Sequence, residues 1–75
     1  MNIDHIEIYY DYDMKDWCGD AFDQNGDYID NTAEWSYTQK LAITRAKFIT
    51  PSVPIHVFQK GTERYRIISP HDQNK

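Results

Sequence analysis

Apolar and polar residues alternate from Ile3 to Tyr12, with Ile6, Ile8, Tyr10 and Tyr12 on one set of positions and His5, Glu7, Tyr9 and Asp11 on the other. A period of two carried by β-branched and aromatic side chains predicts a half-buried strand. Residues 20–29 contain Asn25-Gly26, the dipeptide best suited to the positive φ values of a type I′ turn. The turn predicts a hairpin in which Gln24 faces Asp27 and Phe22 faces Ile29. A competing reading makes residues 13–24 a helix, with Asp13 as N-cap and Asn25-Gly26 as its stop. Gly19 would then sit mid-helix at a cost of about 1 kcal/mol, so the hairpin ranks first.

Ser36 followed by Gln39 has the spacing of a capping box and opens a helix over residues 37–50. Leu41, Ala42, Ala46 and Ile49 form its core stripe, flanked by Tyr37 and Phe48, and Pro51 and Pro54 forbid its continuation. Beyond it, Val53, Ile55 and Val57 alternate with Pro54, His56 and Phe58, and a second run covers residues 64–68. Gln59-Lys60-Gly61 suits a three-residue hairpin loop ending on a left-handed glycine. That register turns Ile55, Tyr65, Val53 and Ile67 to the core and leaves His56, Phe58, Arg64 and Arg66 on the other face. The fold class is α+β: an antiparallel sheet of four to five strands (strand, hairpin, helix, hairpin) with one helix packed on one face. One domain covers residues 1–69, and residues 70–75 form a frayed tail.

Length sharpens this picture. At 75 residues one hydrophobic core must do all the work, and such domains are stable by only about 3–5 kcal/mol. The single cysteine, Cys18, permits no intramolecular disulfide, which points to a reducing compartment, and the expected location is the cytoplasm. No apolar run approaches the roughly 20 residues of a membrane span.

Charge is distributed unevenly. Residues 1–35 carry ten acids against one base (−9), and residues 36–75 carry seven bases against two acids (+5). The acids Asp13, Asp16, Asp20, Asp23, Asp27, Asp30 and Glu34 form a candidate docking surface for a basic partner. Two plainer alternatives are a solvated face and mutual neutralisation of the two halves. A second candidate surface is the outward face of the last hairpin, where His56 and Phe58 could stack on bases and Lys60, Arg64 and Arg66 could meet phosphates. The acidic total opposes that reading at long range.

The chemistry-bearing residues exclude more than they suggest. Setting Gly26 as the glycine of a calcium loop puts Ala21 and Thr32 at the end positions, where carboxylates are needed, so no metal or other cofactor is expected. Cys18 among acids should have its thiol pKa raised, the reverse of a nucleophile's need. No catalytic residues are assigned, and the reading is a non-enzymatic binding protein.

With its Asp23-Gln24-Asn25-Gly26 hairpin, its helix over residues 36–49 and its closing hairpin over residues 53–69, the chain resembles small phage and prophage proteins that inhibit host defences, anti-CRISPR proteins among them. The resemblance implies a stoichiometric inhibitor that docks through its acidic half on a host protein with a basic surface, such as a nucleic-acid-binding complex. It carries over no functional residue. The alternative is a nucleic-acid-binding accessory module using the last hairpin.

Overall fold

Residues 2–32 and 35–70 are described by the computed structural model. Five strands and one helix follow in chain order: β1 (His5–Asp11), β2 (Asp16–Phe22), β3 (Tyr28–Asn31), α1 (Gln39–Ile49), β4 (Ile55–Phe58) and β5 (Tyr65–Ile68). They form one sheet in the order β3-β2-β1-β4-β5, with α1 across one face against β1, β2 and β4. The fold is α+β as expected, but the sheet is mixed: β1 and β4 run parallel, with Ile6 beside Ile55 and Ile8 beside Val57. The helix forces this. It crosses over the sheet between β3 and β4 and so returns the chain in the direction of β1.

Under α1 lie Ile6, Ile8, Ala21, Ile55 and Val57, which with Ala42, Ile43 and Ala46 of the helix make the buried core. Ala42 and Ala46 have no exposed surface, as expected of small residues where a helix lies close on a sheet. The rest of the predicted stripe shifts: Ile43 is buried, Leu41 only half so, and Ile49, Tyr37 and Phe48 are exposed. The helix also starts later than the capping-box spacing predicts. Thr38, not Ser36, is the N-cap, and its hydroxyl accepts the Leu41 N–H at 3.1 Å. Ser36 is instead buried in a two-bond bridge to the backbone of Trp17.

Both hairpin turns differ from expectation by register. In the β2–β3 turn, Asp23 faces Asp27 through a pair of backbone bonds to Asp27 and Gly26, and only Gly26 is left-handed (φ +83°). This is a three-residue connection rather than a type I′ turn. Asp23 Oδ1 holds it by accepting the N–H groups of Asn25 and Asp27 at 2.9 and 3.0 Å. Phe22 consequently pairs with Tyr28, and Ile29 is the extra residue of a bulge that turns into the core.

The β4–β5 connection spans residues 60–63, closed by Gln59 N–H to Arg64 C=O, with Gly61 at φ +78°. Ile55 pairs with Ile68, His56 with Ile67, Val57 with Arg66 and Phe58 with Tyr65. The predicted register is thereby displaced by three residues, and an odd displacement exchanges the faces of β5. Tyr65 and Ile67 turn outward, and Arg64 and Arg66 leave the face of His56 and Phe58. The rival helix over 13–24 is absent; β2 and the turn before it occupy that stretch.

Candidate functional site

The single helix covers one face of the sheet, and the strand residues of the other face are fixed by the pairings. They are His5, Glu7, Tyr9 and Asp11 of β1; Asp16, Cys18, Asp20 and Phe22 of β2; Tyr28 and Asn31 of β3; His56 and Phe58 of β4; and Tyr65 and Ile67 of β5. None is a lysine or an arginine. Large side chains there remain open to solvent, with Tyr28 at 59 %, Tyr65 at 51 % and Ile67 at 58 % exposure.

Rings cross the whole width of that face. Tyr28 meets Phe22 edge to face at 6.2 Å, and Phe22 stacks on His5 at 5.6 Å. His5 stacks on His56 at 4.4 Å, and His56 stacks on Tyr65 at 4.9 Å with planes 9° apart. Phe58 leans on Tyr65 at 5.0 Å. Every strand contributes a ring, so the ribbon exists only when the full sheet is assembled.

Carboxylates flank the ribbon. Glu7 stands opposite Asp20, and Asp11 opposite Asp16, across the β1–β2 ladder. Directly opposed like charges cost stability, roughly 0.2–1 kcal/mol each. Local bonds hold the acids in place: Asp20 accepts from Tyr9 Oη at 2.8 Å and from Asn31 Nδ2 at 3.2 Å, and Asp11 accepts the N–H groups of Asp13 and Met14 in the β1–β2 turn. Burial first, and then the bond to Asp20, push the Tyr9 phenol far above its ordinary pKa. Cys18, opposite Tyr9, is buried and its thiol is pushed up, mainly by desolvation, with the surrounding aspartates adding to it. It is the reverse of an activated nucleophile.

At the centre of the ribbon, His5 Nδ1 lies 2.8 Å from Asp4 Oδ2 and its Nε2 lies 2.9 Å from Glu7 Oε2. Ionised carboxylates only accept, so the imidazolium is the form that satisfies both contacts. Burial lowers the His5 pKa, but the two carboxylates outweigh it and the net shift is upward; His56 is shifted downward by burial and by the facing His5 charge. The stability that Asp4 and Glu7 give His5 is therefore fully present below pH 6.5, its unfolded value, and is lost as pH rises through the raised folded value. The stability of neutral His56 is present above 6.5 and is lost as pH falls through the lowered value. An NMR titration of the imidazoles should resolve His5 above and His56 below 6.5. Coincident midpoints would mean that the two rings do not share the stack.

The predicted acidic surface is thus divided. Asp16 and Asp20 lie on the open face, Asp13 in the β1–β2 turn, Asp23 and Asp27 in the β2–β3 turn, and Asp30 on the helix side of β3; Glu34 lies outside the described residues. Sequence reasoning missed Glu7 and Asp11, which β1 adds to the face, and Asp4, which reaches His5 from just before the strand, and it missed the rings of Phe22, Tyr28 and Tyr65. The second predicted surface is also divided: His56 and Phe58 join the ribbon, while Lys60, Arg64 and Arg66 lie on the side of the helix. Lys60 Nζ sits 4.0 Å above the Tyr10 ring, and Arg66 reaches Gln39 of α1. Ion pairs among the described residues include those of His5 with Asp4 and Glu7, both within the acidic half.

Among the described residues no set of three or more metal-ligating side chains is grouped, and no helix is long and apolar enough to cross a membrane. No family model, curated protein or solved structure matches the chain.

Proposed function

We propose that this is a non-enzymatic binding protein that docks its open sheet face on a positively charged surface of another protein, acting as a stoichiometric inhibitor of the phage anti-defence type its layout resembles. The observation that carries this reading is the composition of that face: rings from all five strands, carboxylates from β1 and β2, and no strand lysine or arginine. Aromatic faces and carboxylates are the two groups that hold a guanidinium, by stacking and by forked hydrogen bonds. A basic groove that ordinarily receives nucleic acid presents such guanidinium groups, and this face offers them acidic and planar contacts in place of phosphates and bases. Nucleic acid itself is disfavoured on this face, because its phosphates would meet only acids.

The test uses a short polyarginine peptide, with polylysine of equal length as control. Saturable binding that is tighter for arginine and weakened by added salt is expected, since lysine offers charge without a stacking plane. Equal affinity for both peptides, or binding indifferent to salt, would overturn the reading.

A further inference from the structure

On the opposite side of the sheet, a cleft of about 440 Å³ opens where the first residue of α1 approaches the β4–β5 hairpin. Its size falls within the range of small-ligand sites, about 300–1,000 Å³. Three cations line it, Lys60, Arg64 and Arg66, together with the Trp17 indole and the amides of Gln39 and Gln59. No carboxylate lines it, and among the described residues none lies within ion-pair distance of these three cations. In a protein of net charge −4, three neighbouring cations without a counter-charge form a local anion trap.

The Trp17 indole, partly buried against the core, gives the cleft an aromatic side, and Tyr10 stands beside it. Tyr10 meets Trp17 edge to face at 5.5 Å and is itself capped by Lys60 Nζ at 4.0 Å. The Arg66 guanidinium is drawn to within 3.5 Å of Gln39 Oε1, which leaves its remaining N–H groups for an incoming ligand. Guanidinium forks match phosphate oxygens, an indole face matches a planar heterocycle, and side-chain amides match the polar edges of that heterocycle. We infer that this cleft binds a phosphorylated nucleoside unit, with its phosphates on Arg64, Arg66 and Lys60 and its base against Trp17. The cleft opens on the helix side and shares with the open face the edge residue Tyr65, and the inference does not rest on the docking proposed for that face.

Trp17 supplies the reporter. In a Trp35→Phe background, where Trp17 is the one remaining tryptophan, ADP should quench the fluorescence saturably. Arg64→Gln with Arg66→Gln should weaken ADP about a hundredfold, and both arginines are exposed, so the fold should survive. Inorganic pyrophosphate should bind more weakly than ADP and quench little. A short oligothymidine, tried against ADP, identifies the source: tighter binding with a steeper salt dependence means the nucleotide of a strand, and weaker binding means a free nucleotide. Either outcome supports the cleft. ADP binding that survives the double substitution, pyrophosphate binding as tight as ADP, or no saturable binding of ADP would overturn it.

Discussion

Ile8→Ala should leave most of the protein unfolded under conditions in which the parent chain is folded. Ile8 is fully buried at the centre of β1, between Gly19 of β2 and Val57 of β4 and under the helix. Removing three of its side-chain carbons costs about 2–5 kcal/mol, because the transfer energy is lost and a cavity remains. The two alanines of α1, with a single methyl each, and the glycine beside Ile8 cannot extend to fill the gap. A chain of this size has only about 3–5 kcal/mol to lose. Urea unfolding followed by circular dichroism measures the effect directly. A midpoint close to that of the parent would show that the centre of β1 is not the core of the fold.

The second large effect concerns docking. Reversing Glu7 and Asp20 together, as Glu7→Lys with Asp20→Lys, should weaken binding of a basic partner about a hundredfold or more, since close charge pairs across an interface couple by about 1.5–7 kcal/mol. Asp13→Lys with Asp27→Lys changes the net charge by the same amount, but both residues stand in turns rather than on the strands of the open face. That variant should change affinity only a few-fold, mainly through the rate of association. Thermal melts of both variants separate loss of contact from loss of fold. Equal loss of binding in the two variants would mean that net charge, not the open face, attracts the partner.

Strand and helix existence was legible in the sequence because periodicity reports burial, and burial is what built β1, α1 and β4. Register was not legible. The turn between β1 and β2 contains no glycine; Lys15 takes the left-handed conformation there (φ 57°), and Asp11 secures the turn through its side chain. The start of β2 therefore went unmarked. At the last hairpin, Gly61 correctly signalled a left-handed position, but one glycine fits several loop lengths, and a displacement of three residues moved Arg64 and Arg66 from one face to the other. The candidate site suffered most from this. A ribbon of rings contributed by five strands depends on every register at once, whereas the acids of β2 were visible as soon as that strand was placed.

The parallel seam between β1 and β4 has a consequence for how the chain reaches this structure. Ile6 and Ile55 become neighbours only after the whole acidic segment and the helix have been synthesised, and such distant pairing is slow because loop closure precedes any reward. The seam is also the border between the two charge domains: β1 to β3 belong to the −9 half and β4 to β5 to the +5 half. Opposite signs on the two sides of an unclosed gap draw the segments together over roughly a Debye length, about 10 Å at 0.1 M salt. The lopsided charge therefore favours closure of this seam as the chain folds.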